Sequence, residues 1–382
     1  MTDIELVPYN KTYLATNEIQ YAKQLLTGGS IGQPPKFREQ ALRLLSDILR
    51  TEFLELTSSC TSALEAACLA CDIGPGDEVI MPSYTFTSTA NAVVLRGGIP
   101  VFVDICGETL NIDSSKIIAS ITDRTKAMIV VHYAGVSCDM DSLIAIARNN
   151  NLYLIEDAAQ AIGSTYKGTP LGTIGDFGAI SFHLTKNIQC GEGGALITKT
   201  ADTLALARKI IDKGTNRYDM LNGIVDRYRW ITPGSSYVMS DLQASVLTAQ
   251  LEDASNIISH RVRVWNHYHE GLAGLESDDL LKRPVIELGA EINGHIYYVL
   301  LSRIFDRDVI EEKLRGKGII VTSHYEPLHL SPAGKRYCRF GSDLEVTEDV
   351  SGRLLRLPIW PDMSATLVNR VIDQLTIALR QP

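Results

Sequence analysis

The 382-residue sequence has no apolar run long enough to cross a bilayer. Its longest charge-free stretch, Val79 to Leu95, is interrupted by Pro82 and by Ser, Thr and Asn, which a lipid-facing helix tolerates poorly. The opening MTDIELVPYNKTY has neither the basic nor the continuous apolar segment of a secretion signal, so a cytoplasmic protein without a membrane partner is expected. Positive charge is also in short supply. Lys and Arg number 36 against 45 Asp and Glu, a net charge of −9 that leaves no broad basic face for a phosphate backbone. Nucleic acid is therefore not an expected partner, whereas a small anion held by a few local donors is compatible with this balance.

Several catalytic signatures are missing too. No GxGxxG follows a strand-like run, no GxxxxGK[ST] occurs, and there is no HExxH, so neither a dinucleotide fold, a P-loop nor a metal site is expected. The seven cysteines are odd in number and scattered from Cys60 to Cys338, which excludes a disulfide framework and fits a reducing compartment. Cys68 and Cys71 form a CxxC, but inside the helical run TSALEAACLACDIG they read as buried packing rather than zinc or redox chemistry. Gly28-Gly29-Ser30-Ile31-Gly32 matches the G-x-S-x-G pattern of serine hydrolases. A helix, not a strand, precedes it, so it reads as a helix C-cap and loop.

What is present is an alternation. Short β-type runs at 77–84, 99–105, 126–133, 151–159 and 178–183 are separated by helical stretches such as Ser114 to Ser120 and Met140 to Asn149. That pattern predicts an α/β fold with a mainly parallel sheet covered on both faces. Ser240 then offers an N-cap to a long apolar-periodic helix over 240–272. The segments beyond it read as a smaller α+β unit with helices at Asp306 to Arg315 and Ala365 to Arg380. One core rarely suffices at this length, so a large domain over 1–254 and a small domain over 255–382 are expected.

Three segments carry chemistry when taken together. In LTSSCTSALEAACLA (56–70), small hydroxyl residues precede a strong helix former run, placing free N–H groups and hydroxyls at one helix N-terminus. In NLYLIEDAAQAIGS, an apolar strand ends in Glu156 and Asp157 at the carboxyl edge of the sheet, where an Asp can hold a protonated heterocyclic nitrogen. In GAISFHLTKNIQCGEGGALIT, a strand leads to Ser181, His183 and Lys186, and a lysine among apolar and small residues gives up its proton more readily than a surface lysine. Phosphate site, strand-end Asp and imine-forming Lys, in that order, point to a pyridoxal phosphate (PLP) enzyme.

At these residues the chain resembles the DegT/DnrJ/EryC1/StrS sugar aminotransferase family, within fold-type I PLP enzymes. The resemblance runs from GDEVIMPSYTFTSTANA through FVD, VHYAG, EDAAQ and SFHLTKN to GEGGA, MSDLQA and YEPLH. It implies a catalytic Schiff-base Lys186, Asp157 on the pyridine nitrogen, Gln160 near the ring hydroxyl and Phe86 stacked on the ring. Cys60, Thr61 and Ser181 would hold the phosphate. Ser236 falls where many members carry an asparagine that reaches the neighbouring subunit's cofactor, so a homodimer with interfacial sites is implied. Lys213, Arg217, Tyr228, Arg229, Tyr325 and His329 are candidates for binding a nucleotide-diphospho-sugar. KGTNR, VDRYRW and GSSYVMSDLQA resemble the subgroup that uses glutamate to form dTDP-4-amino-4,6-dideoxygalactose for surface polysaccharides. The alternatives are amination at carbon 3, the gluco epimer, a PLP sugar dehydratase with histidine in place of the lysine, and a non-catalytic binding protein.

Overall fold

The computed structural model describes residues 5–27 and 36–381, so the GGSIG segment at 28–32 lies outside the described residues. Eight strands form the main sheet: β1 (Leu54–Thr57), β2 (Glu78–Pro82), β3 (Ile99–Val103), β4 (Thr125–Val131), β5 (Tyr153–Asp157), β8 (Phe177–Ser181), β9 (Gly194–Thr198) and β13 (Arg339–Phe340). Their order is β1-β9-β8-β5-β4-β2-β3-β13. Every neighbouring pair from β8 to β13 is parallel, and β9 alone runs against both its neighbours. From β2 the chain steps outward to β3 and then crosses back to β4 on the other side of β2. Such a reversal opens a crevice at the carboxyl ends of the strands, where ligands of α/β sheets bind.

The central strands are buried on both faces, and their alternation sorts side chains between two layers. Ile80, Met128, Val130 and Leu154 face a layer built from helices Lys36–Leu49, Met140–Asn149 and Asp241–Glu252. Val79, Met81, Ala127, Ile129 and Ile155 face helices Cys60–Ala70, Thr87–Val94 and Ala201–Ile211. By the same parity Glu156 and Asp157 point to opposite faces of β5. Cys68 and Cys71 are buried in the second layer, where burial pushes the Cys68 thiol up to about 12.

Two local expectations are corrected. Ser114 to Ser120 forms two short 3₁₀ turns, Ser114–Lys116 and Ile118–Ser120, because its one anchoring apolar contact is Ile117 and Asp113 caps only the first turn. The 240–272 stretch is two helices, Asp241–Glu252 and Ala254–Gly271, meeting at Asp253. Ser240 does cap the first, in a reciprocal box with Gln243. The break lets each half face its own core: Ala254 and Ile257 pack under the main sheet, whereas Val264, Trp265 and Tyr268 join a second hydrophobic core, the one expected of a smaller C-terminal unit.

That domain has a three-stranded antiparallel sheet, β10 (Leu281–Lys282), β12 (Tyr297–Leu301) and β14 (Leu354–Leu357), covered by helices Arg307–Arg315 and Ala365–Arg380. A third small sheet joins β11 (Ala290–Glu291) to the hairpin of β6 (Thr165–Tyr166) and β7 (Thr169–Pro170). The two units interlock. Val7 pairs with Ile319 in the small-domain core, and β13 returns to the edge of the main sheet. Asp104 of FVD, fully buried, accepts Lys116 Nζ at 2.9 Å and the Thr347 N–H at 2.9 Å, tying helix Glu345–Arg353 to the sheet.

Glu156 fixes the end of β5. Its carboxylate, with no exposure, accepts the N–H groups of Gly172 at 2.8 Å, Ile174 at 2.7 Å and Gly175 at 2.7 Å. His132 Nε2 donates the remaining bond at 2.8 Å, its Nδ1 accepting from the Cys138 backbone at 3.2 Å. Burial would raise the Glu156 pKa, but His132 and these N–H groups more than offset it and hold it below the usual carboxylate range. A depressed carboxylate pKa contributes stability above its unfolded value of about 4.5, and that contribution is lost as pH falls through the folded pKa. Glu156→Gln should therefore destabilise by about 1–3 kcal/mol at pH 7. In urea unfolding the gap from wild type should narrow steadily as pH drops below about 4.5.

Candidate active site

A cleft of about 410 Å³ opens at the carboxyl ends of β5 and β8, between the main sheet and the small domain. One wall is the start of helix Cys60–Ala70. Ser59 caps it by accepting the Ser62 N–H at 3.0 Å, so Cys60 and Thr61 head the helix with first-turn N–H groups that no helical carbonyl can accept. The Thr61 hydroxyl lies 2.7 Å from that of Ser88. Strand β9 passes directly beneath: a Cβ on Gly194 would stand 2.5 Å from the Cys60 nitrogen, so GEGGA needs glycine there. Hydroxyls and free N–H groups at a helix N-terminus make a phosphate cradle.

Asp157 projects into the cleft from the end of β5 and is 5% exposed. Its Oδ2 accepts the Thr89 hydroxyl at 2.8 Å, which in turn accepts Thr85 at 2.8 Å, and its Oδ1 accepts the Ala159 N–H at 3.2 Å. These two donors do not offset burial, so the Asp157 pKa is raised. A cationic partner would reverse that, and a protonated pyridine nitrogen supplies one. Lys186, just beyond β8, lines the same cleft; burial first, and the Arg356 charge next among the lowering causes, depress its pKa and favour the neutral amine. Gln160 accepts the Ala134 N–H at 2.7 Å and donates to the Tyr325 hydroxyl at 2.8 Å. Gly135 of VHYAG sits at φ +79° with Asn293 against it, where a Cβ would fall 2.2 Å from Asn293 Oδ1.

The cleft brings together Cys60, Thr61, Phe86, Asp157, Gln160, Ser181, Lys186 and Tyr325. Phe86 stays 59% exposed at its rim. The other sequence candidates lie elsewhere in the single chain. Lys213 and Arg217 pair with Asp212, Tyr228 and Arg229 stand in solvent, and Ser236 bridges to Asp212 through its backbone. His329 is buried behind the cleft, its Nδ1 2.8 Å from the Ser83 hydroxyl and its Nε2 3.1 Å from Glu348, because YEPLH turns into the protein after Pro327. Sequence reasoning missed Tyr9, Thr85, Ser88, His295, His324 and Arg356. Thr85 and Ser88 stand in the already conspicuous PSYTFTSTANA, whereas Tyr9 and Arg356 carry no local signal.

A model of the DegT/DnrJ/EryC1/StrS aminotransferase family matches residues 12–376. The chain belongs to this family. It is 34% identical to the spore coat polysaccharide biosynthesis protein SpsC of Bacillus subtilis, over 96% of this chain and 95% of SpsC. The PLP-form structure of Spr1654 from Streptococcus pneumoniae superposes with a TM-score of 0.89 at 27% identity, covering 99% of both chains. DesI, solved with its TDP-sugar product, gives 0.87 at 26% identity over 99% of this chain and 94% of that one. The protein is thus a PLP-dependent aminotransferase, and the donors in its cleft fit the cofactor: a buried carboxylate, a phosphate cradle and an amine. Among the described residues no helix is long and apolar enough to cross a membrane.

Two substitutions test the site. Borohydride treatment of the PLP-loaded protein should fix cofactor covalently on wild type and not on Lys186→Ala, whose turnover should fall by about 10²–10⁴-fold. Asp157→Asn should bind PLP but turn over about thirtyfold more slowly, the equivalent of one charged hydrogen bond of about 2 kcal/mol.

Proposed function

We propose that the enzyme transfers the amino group of L-glutamate to carbon 4 of dTDP-4-keto-6-deoxy-D-glucose. The products are 2-oxoglutarate and dTDP-4-amino-4,6-dideoxy-D-galactose, destined for a surface polysaccharide. The reading is carried by Lys186 lying in one cleft with Asp157, in a chain whose KGTNR, VDRYRW and GSSYVMSDLQA match that subgroup's pattern. The TDP-sugar product in DesI and the polysaccharide role in the name of SpsC support the substrate class. A lysine at 186, rather than histidine, favours amination over dehydration.

The cofactor, when bound, supplies an electron sink for the C–H bond beside the transferred nitrogen. The chain's own groups do the rest. Lys186, whose pKa burial lowers, would take the proton from the α-carbon of the donor and later deliver one to carbon 4 of the sugar. Asp157 would hold the ring nitrogen in its charged form, and Gln160, which donates to Tyr325, would lie near the ring hydroxyl.

A homodimer is part of this reading. Tyr218, Leu221, Ile224, Tyr228, Trp230 and Ile231 are all exposed on one stretch, Trp230 by 78%, although its backbone is tied down by Asn216. Lys213, Arg217, Arg229 and Ser236 lie in or beside that stretch and would serve a partner's cleft in a two-fold pair. Incubation with PLP, glutamate and dTDP-4-keto-6-deoxyglucose should give an axial 4-amine by NMR. Equilibrium sedimentation should give twice the chain mass. An amine at carbon 3, or an equatorial one at carbon 4, would move the reading to the neighbouring specificities.

A further inference from the structure

Arg356, on β14, carries a guanidinium from the small domain into the cleft. Its Nη1 donates to Nε2 of His324. Arginine has no acceptor, so this contact requires a neutral imidazole. Burial, and then the Arg356 charge, push the His324 pKa down to about 2 and keep it so. His324 is held in turn: its ring stacks on Tyr325 at 4.1 Å, and the Tyr84 hydroxyl donates to its carbonyl. Tyr9 lies against the guanidinium at 5.5 Å. The side chain is thus fixed in place, yet its Nε–H is buried without an acceptor, as is His324 Nδ1, and no carboxylate among the described residues pairs with Arg356. A buried donor edge of a permanent cation with nothing to meet it is an incomplete anion site.

We propose that Arg356 binds the α-carboxylate of the amino-acid donor. Four anionic groups enter such a cleft: the cofactor phosphate, the sugar diphosphate and the two carboxylates of glutamate. Bond lengths separate them, the γ-carboxylate lying two bonds further from the α-carbon than the α-carboxylate. The α-carbon of the donor must come to Lys186, and its carboxylate is one bond further, so the cation that holds it stands beside the lysine. Arg356 lines one cleft with Lys186, and no other arginine among the described residues is in that lining. The diphosphate of a nucleotide sugar is a whole hexose ring away from carbon 4 and needs cations a sugar's width from Lys186. The phosphate of the cofactor has its cradle at Cys60 and Thr61, on the opposite, large-domain wall. The planar N–H edge of a guanidinium also matches the two oxygens of a carboxylate. The assignment rests on transamination from an amino-acid donor, not on which sugar receives the amine.

The test uses PLP-loaded enzyme with glutamate and no sugar, following the cofactor absorbance. Arg356→Gln should raise the half-saturating glutamate concentration by about 10²-fold, and Arg356→Lys, which keeps the charge but not the fork, by about tenfold. Glutarate, a dicarboxylate that cannot react, should bind wild-type holoenzyme by calorimetry and bind Arg356→Gln correspondingly more weakly. The KM for the nucleotide sugar should not change. Unchanged glutamate and glutarate affinity overturns the assignment, and so does a rise in sugar KM alone, which would give Arg356 to the diphosphate. If Arg356→Gln fails to fold, the Arg356→Lys ratio and the wild-type glutarate titration decide. Wild type that deaminates glutamate but aminates no dTDP-sugar sinks the substrate reading and leaves the arginine assignment standing.

Discussion

A carboxylate that has to stay charged inside the protein organises everything around it. Glu156 sits fully buried behind β5, and its four donors come from the 172–175 turn and from His132 beside the end of β4. Withdrawing such a charge from water is tolerable only when each oxygen is met, so the turn, β4 and β5 are locked in one arrangement. Asp157 inherits its position from that lock. Adjacent on one strand, the two carboxylates face opposite layers and are driven in opposite directions, Glu156 down by its donors and Asp157 up by having too few. The shortfall at Asp157 leaves it able to take a cationic partner.

The cleft divides its labour between two cores. The main sheet and the helix at Cys60 supply what a fixed cofactor needs: a cradle, a carboxylate and a lysine, all at carboxyl ends of strands. Residues 295–356 supply other parts of the cleft lining. His295, braced by Asn187 at 2.9 Å and kept neutral first of all by burial, lines that side with His324, Tyr325 and Arg356.

The large-domain half of this was legible in the sequence because its signals are local. Strand periodicity marked β2 to β5 and β8, and the candidate cofactor residues stand within motifs that join a strand end to a turn. The small-domain half was not. Arg356 looks like any arginine in LLRLPIW until β14 is paired with β12, and Tyr9 acquires a role only when its carbonyl accepts the Ile359 N–H at 3.2 Å. His324 and His329 stand in one short segment, and nothing local says that the first lines the cleft and the second turns away to Ser83. The helix break at Asp253 was hidden for a related reason. The apolar period continues through it, but the surface it packs against changes.

The path of the N-terminal segment bears on when the enzyme becomes an enzyme. Val7 is clasped from both sides, its N–H donating to Gly318 at 2.8 Å and its carbonyl accepting from Ile320 at 2.9 Å, and Tyr9 is clasped by Ile359. During synthesis these early residues have no surface to settle on until nearly all of the chain has left the ribosome. The main sheet can form its cradle and carboxylate well before that. The seating of the N-terminal segment therefore depends on the 318–320 and 356–360 stretches, and it brings Tyr9 to the guanidinium at the cleft.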